Sequence, residues 1–319
     1  MGSCTVSSRG PRLGAGVRVT GCGFWGSALV FRAEGGVHPG VYVEDEGGSP
    51  RPVWLDHAGA VHVFPVAAGR LLAVHRFRPG SIPPIVDEVA FLAEGREVLR
   101  VPGQSLGVSA DGRRAAVVDV VRGVLHAVDL LAATSREACP VATAMHPMLA
   151  PVPALSDDGA RALVMTARTA QLDGALEAIS LDDGERRTVL GPLSAPSRVS
   201  GGFLPSGRVV ALVQELHDGP RCTLRVLEAD GPGRVVHQRA VNQGVSVPAV
   251  LDERTVVAAL MVANAPGETS GPLHACRVGL DDGNVVPLAE LGVAQPRLRR
   301  GDGGVLVEGL ATALVLRVA

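Results

Sequence analysis

Residues 156–164 read SDDGARALV, a short acidic turn signal followed by a mostly apolar run, and the pattern returns at near-regular intervals. SADGRRAAVV begins at Ser109, PSGRVVALV at Pro205, LDERTVVAAL at Leu251 and GDGGVLVEG at Gly301. Two shorter copies, FWGSALVF at Phe24 and AAGRLLAVH at Ala67, precede them. Anchored on Gly26, Gly69, Gly112, Gly159, Gly207, Glu253 and Gly303, the copies stand 43, 43, 47, 48, 46 and 50 residues apart. Asp-Gly between apolar stretches marks a tight turn. A unit of this length that alternates or runs solid, without a 3.6-residue period, is the length of a four-stranded propeller blade. Seven such units predict an all-β, seven-bladed β-propeller that occupies 1–319 as one domain.

Each unit divides into strands A to D. In the fourth, VPALS, ARALVMTAR, GALEAISLD and ERRTVLG follow one another; in the fifth, SGGFL, RVVALVQEL, CTLRVLEAD and RVVHQR do. The seventh unit ends after GGVLVEG and TALVLRVA, with no strand D. CTVSS at 4–8 is the segment left to supply it, and ring closure by strands from both ends removes an open sheet edge. The S-x-D-G-like turn with its apolar strand B resembles the TolB-type and WD40-like propeller repeats. The Gly-His and Trp-Asp pairs of true WD40 repeats are absent. The resemblance implies a fold that serves binding and catalysis alike.

Composition narrows the partners. Gly (40) and Pro (23) suit many short strands, and a net charge of −2 offers no field for nucleic acid or an acidic membrane surface. All 30 basic residues are Arg, so a Schiff-base or P-loop lysine is excluded, and the bias points to a GC-rich bacterial genome. Five scattered Cys without CxxC indicate free thiols in a reducing compartment. No apolar leader and no 18-residue apolar run is visible, and a cytoplasmic protein is expected.

Two literal motifs lack their context. GCGFWG (21–26) matches a dinucleotide fingerprint but is followed by a strand pattern, where that fingerprint needs a helix. GQSLG (103–107) matches a nucleophile elbow but is also followed by a strand.

The candidate site is the face that carries the D–A and B–C loops, here called the top. His38, His75 and His217 fall at or after B-strand ends, His57 and His146 in D–A loops, and His62 opens a strand A. Seven positions before the anchors stand Val19, His62, Ser105, Val152, Ser200, Ser246 and Pro296. Three serines and a histidine thus share one register beside the axial channel, where hydroxyls orient a ligand or bond water. Glu34, Asp119, Glu215, Asp218, Glu268 and Glu308 are the nearest acids. Glu215 and His217, two residues apart, fit a carboxylate that raises imidazole basicity for acid/base work. Arg32, Arg76, Arg78, Arg168 and Arg198 suit a carboxylate or phosphate.

The expected catalytic set is therefore His62, His217 and Glu215, with His75, His146, Arg198, Ser105, Ser200 and Ser246 in binding. No cofactor is implied, and the histidines leave room for a divalent metal although no ligand spacing marks one. Two functions fit: a small molecule bound at the channel mouth, by analogy with single-domain bacterial propellers of lyase or lactonase activity, or a platform for a protein or peptide. Only nine aromatic residues are available as interface anchors, which favours the small molecule.

Overall fold

A computed structural model describes the chain apart from residues 1–3, 10, 15, 26–27, 36–37, 56–60, 67–70, 79, 81–84, 142–150, 168–173, 195, 228–232, 242, 244–245, 263–270, 292–296, 302–303, 309–312 and 319. Its strands form seven four-stranded antiparallel sheets arranged as a β-propeller. Blade 1 runs Arg18–Trp25, Ala28–Glu34, Gly40–Glu44 and Arg51–Leu55, and blade 2 Val61–Val66, Leu71–Phe77, Val86–Ala93 and Arg96–Pro102. Blade 3 runs Ser105–Val108, Arg114–Asp119, Val124–Asp129 and Thr134–Pro140. Blade 4 runs Ala154–Leu155, Arg161–Ala167, Gly174–Ser180 and Arg186–Leu190. Blade 5 comprises Ser197–Phe203, Val209–Glu215, Arg221–Leu227 and Arg234–Arg239. Blade 6 comprises Ala249–Val250, Thr255–Met261, Leu273–Gly279 and Val285–Glu290.

Blade 7 contains Arg297–Gly301, Gly304–Glu308 and Ala313–Val318, and its fourth strand is Cys4–Arg9 from the other end of the chain. The pairing is antiparallel, from Cys4 opposite Val318 to Arg9 opposite Ala313. The ring is thus closed as the missing strand D predicted, with the last strand of the chain paired on both sides. Neither literal motif sits before a helix: 21–25 lie in strand A of blade 1 and Ser105 opens strand A of blade 3.

The B strands are nearly solid in apolar residues because both of their faces are covered by neighbouring blades. Strand B of blade 5 is buried from Val209 to Gln214. Its alternate residues divide between two clusters: Val209, Ala211 and Val213 pack with Leu163 and Met165 of blade 4, while Val210 and Leu212 pack with Val256 and Ala258 of blade 6. The core is a set of such inter-blade seams. The outer D strands carry the charge instead, as in blade 3, where residues 134–137 are exposed.

Inner strands must pass close to one another near the axis. A Cβ on Gly107 would stand 2.0 Å from the Pro153 carbonyl of the next blade, so only glycine fits there. The repeated turn joins strands A and B on the bottom face. In blade 4 the Ser156 hydroxyl donates to Asp158 at 2.6 Å, Asp158 accepts from the Ala160 N–H, and Gly159 takes a φ of +66°. Ser109, Asp111 and Gly112 repeat the arrangement in blade 3.

Seams are also crossed by polar staples. Arg136 in blade 3 donates to the Leu181 carbonyl of blade 4, and Arg234 in blade 5 to that of Leu280 in blade 6. Among the described residues there is no helix long and apolar enough to cross a membrane.

Candidate functional site

On the top face the strand-B ends carry a recurrent carboxylate. Strand B finishes on Glu34 in blade 1, Asp119 in blade 3, Glu215 in blade 5 and Glu308 in blade 7. In three of these the cross-strand partner opens strand A: Arg18 opposite Glu34, Ser197 opposite Glu215 and Arg297 opposite Glu308. Glu34 lies 3.8 Å from Arg18 and 3.6 Å from Arg32, whose side chain is only 2% exposed. Glu215 lies 3.6 Å from Arg225. Asp119 has a different duty. Its Oδ1 accepts from the Val121 and Arg122 N–H groups and closes the B–C turn of its own blade.

The expected catalytic residues are placed as follows. His62 is the second residue of strand A in blade 2, its backbone opposite His75 of strand B. His217 follows strand B of blade 5, is 63% exposed, and faces Asp218 through Nδ1 at 2.8 Å. Glu215 was expected to hold that imidazole; it is engaged by Arg225 instead, because the strand ends before residue 217 and the alternation that would align the two stops there.

The binding set divides similarly. His75 is buried at 8% exposure, in the row of strand-B residues (Leu71 and Ala73 among them) that packs toward blade 3. Arg198 is half-buried and opposite Gln214. His146 and His57 lie outside the described residues. The serine register has a structural meaning that the sequence did not supply. Ser105 donates to the Pro151 carbonyl at 2.5 Å and Ser200 to that of Ser246 at 2.6 Å, so each bonds the segment entering the next inner strand. The Ser246 hydroxyl has no hydrogen-bond partner among the described residues.

Three buried glutamines also shape this end of the ring. Gln104 Oε1 accepts from the Val120 N–H at 2.8 Å, and Gln243 Oε1 from that of Met261 at 2.7 Å. Gln214 Oε1 accepts from the Gln243 N–H at 3.1 Å, which joins blade 5 to the entry of blade 6. These side chains satisfy backbone groups where strands B end away from water. Gln104 and Gln243 occupy loops, and nothing in a loop sequence marks a glutamine as buried.

Among the titratable groups, His126 is 4% exposed, and burial pulls its pKa below the ordinary imidazole value. Asp119 and Glu137 oppose that shift and Arg122 assists it. His237 is also shifted down, by burial and then by Arg239. In both, burial disfavours the protonated form. Among the described residues no three His, Cys, Asp or Glu side chains stand together as a metal-binding group.

No protein-family model matches the chain, and no curated protein matches its sequence. Solved structures do match its shape. Virginiamycin B lyase from Staphylococcus aureus, determined with quinupristin, is 9% identical at a TM-score of 0.62, with 99% of this chain and 100% of that chain covered. Oligogalacturonate lyase from Vibrio parahaemolyticus is 10% identical at 0.61, with 98% of both chains covered. The Cps50 (Swd1) β-propeller domain from Myceliophteria thermophila is 13% identical at 0.55, with both chains covered completely. At these identities the likeness is one of fold. It shows a β-propeller, and the chain's own sheets give it seven blades.

Proposed function

We propose that the top-face channel mouth binds a small molecule and acts on it by acid/base chemistry of the lyase type. The observation that carries this reading is the recurrence of a carboxylate at the strand-B ends, Glu34 in blade 1 and Glu215 in blade 5, each opposite the residue that opens strand A. His62 is the second residue of the inner strand of blade 2, at the same end of the ring. An elimination needs one group to remove a proton and a second to protonate the departing atom. A carboxylate or neutral imidazole serves the first role, and a protonated imidazole the second. Two of the structures of the same fold are named as lyases, which supports the class and says nothing of the substrate.

A protein platform has less behind it. The large apolar side chains exposed among the described residues are Val98, Val121, Leu131, Val152 and Val235, all aliphatic and scattered over several blades. Interface anchors are typically clustered aromatics and arginines.

The test uses quinupristin and oligogalacturonate as probes, with substrate loss and product followed by mass spectrometry and a thermal melt run beside them. His62→Ala, His217→Ala and Glu34→Gln are made separately. Turnover of a probe by the parent is expected to fall about 10²–10⁴-fold in the variant that removes the acid or base, at an unchanged melt. Full activity in all three variants would overturn this assignment of residues. A parent that neither binds nor converts either probe, yet retains a protein partner, would replace it with the platform.

A further inference from the structure

The bottom face carries a cleft of about 320 Å³ between blades 4 and 5, at the small end of the range for small-molecule sites. Its walls come from the lower ends of strands B, C and D of blade 4 and from the A–B turn of blade 5. Arg161, Arg186, Arg187 and Arg208 line it, with Glu185 and the ring of Phe203.

Comparison of equivalent positions in the repeat shows what is unusual here. An arginine opens or closely precedes strand B in several blades, and in three of those described it has an acid. Arg114 of blade 3 lies 3.0 Å from Asp182, Arg208 of blade 5 lies 2.5 Å from Glu253, and Arg254 of blade 6 lies 3.3 Å from Asp281. Arg161 of blade 4 has no ion pair among the described residues. Its guanidinium stacks instead over Phe203, 4.9 Å from the ring centroid. Asp158 of its own turn feels that charge but is already committed to Ser156 and the Ala160 N–H.

The surroundings keep the guanidinium oriented and open. A Cβ on Gly207 would stand 3.5 Å from Nη2, so the glycine leaves that edge uncovered. Glu253 fixes the opposing turn: it accepts from the Ser206 hydroxyl at 2.6 Å, from the Ser206 N–H at 3.0 Å, and from Arg208. Arg186 donates to the Pro140 carbonyl at 3.1 Å and lies 3.9 Å from Glu177. A stacked guanidinium with its N–H fork facing a cleft is suited to bidentate binding of an oxyanion. The apolar wall of Ala178, Val189 and Leu227 would receive the rest of the ligand.

We infer that the cleft between blades 4 and 5 binds a small organic oxyanion, with its carboxylate or phosphate taken by Arg161, which is stacked on Phe203 and has no ion pair among the described residues. This site lies on the face opposite the channel mouth and is independent of the function proposed there.

Inorganic phosphate, phenyl phosphate and benzoate serve as probes in calorimetric titrations of the full chain. Phenyl phosphate and benzoate separate a phosphoryl from a carboxylate preference, and inorganic phosphate measures the share of the apolar wall. At least one aromatic probe is expected to bind saturably, more tightly than inorganic phosphate and more weakly as salt is raised. Arg161→Gln should weaken it about tenfold or more, and Phe203→Leu should weaken it less. Arg113→Gln, an exposed arginine in the blade 3 turn, should change nothing. Thermal melts of each variant confirm folding; Arg161 is exposed, so its loss should leave the melt unchanged. Equal affinity in the parent and Arg161→Gln, or no saturable binding of any probe, would overturn the inference.

Discussion

Ser200 donates its hydroxyl proton to the carbonyl oxygen of Ser246 at 2.6 Å, a bond that ties strand A of blade 5 to the segment entering strand A of blade 6. The donor is 9% exposed, and it repeats the contact that Ser105 makes with Pro151 between blades 3 and 4. Loss of either hydroxyl deprives a carbonyl at the ring's inner rim of its partner. Ser200→Ala and Ser105→Ala should each cost about 1 kcal/mol in urea denaturation. The two sites lie on different seams, so the double variant should be additive. Equal stability of Ser200→Ala and the parent would remove the bond from any account of how blades are joined.

Closure of blade 7 rests on the six-residue ladder between Cys4–Arg9 and Ala313–Val318. Removal of residues 1–10 exposes the N–H and C=O groups of the last strand and opens the ring. The truncated chain should melt several degrees lower, by roughly the scale expected for loss of a strand, and should self-associate on gel filtration. A monomer that melts like the full chain would show that the ladder contributes nothing to closure.

The A–B turns should matter for stability alone. In blade 4 the residue that organises the turn is Asp158, which is bonded to Ser156, and not Asp157, whose carboxylate makes no such contact among the described residues. The Ser156 hydroxyl, then the Ala160 N–H, hold the Asp158 pKa below its ordinary value of 3.8. A depressed carboxylate pKa contributes stability above the unfolded value that is lost as pH falls through the folded one. Asp158→Ala should therefore destabilise by about 1 kcal/mol at neutral pH, and the difference from the parent should shrink below about pH 4. Asp157→Ala should be close to neutral at both. A cost that persists undiminished at low pH would assign the effect to something other than the charged carboxylate.

The blades were legible because two physical constraints act on every copy. A doubly covered strand B must be apolar along its length, and a tight A–B turn needs glycine or a short polar residue, so both leave a periodic trace. RVVHQR was read as a strand and is one, from Arg234 to Arg239. The inner strands were harder: VPALS reduces to Ala154–Leu155, because near the axis it bonds only over that length. Which residues fall at one end of the strands could be read from the same register, but side-chain partners could not. Whether Ser200 bonds water or the next blade depends on a neighbour 46 residues away. His217 and Glu215 share a spacing that implies a pair only while the strand continues, and it ends at Glu215. That Arg161 has no ion pair among the described residues shows only when its blade is compared with the others in space.

The buried thiols should be inert. Burial raises the pKa of Cys222 and of Cys276 to about 12, and both pack in the seam between blades 5 and 6. Cys139 is raised as well, chiefly by burial, and Cys22 is buried. The thiolate is the reactive form, so an aromatic disulfide reagent at mildly alkaline pH should leave these four cysteines unmodified until denaturant is added. Rapid labelling of Cys222 or Cys276 in the native protein would show that this seam opens far more readily than its packing implies.

Stability should fall as the solution becomes mildly acidic, through His126 and His237. Burial lowers the pKa of each in the folded chain below the ordinary 6.5, while an unfolded imidazole titrates at that value. Over the interval between the folded and unfolded values the unfolded state holds more protons, so acid favours it. The contribution is present above the unfolded pKa and is lost as pH drops through the folded one. The parent's midpoint in urea should therefore decline from about pH 7 toward about pH 5, a range in which carboxylates remain largely ionised. His126→Gln keeps a polar side chain that does not titrate there, and should flatten the decline even if it lowers stability overall. Combination with His237→Gln should flatten it further. The slope against pH is the diagnostic quantity, since a purely structural loss shifts the curve without changing its slope. An unchanged slope in the double variant would mean that other groups govern the acid response.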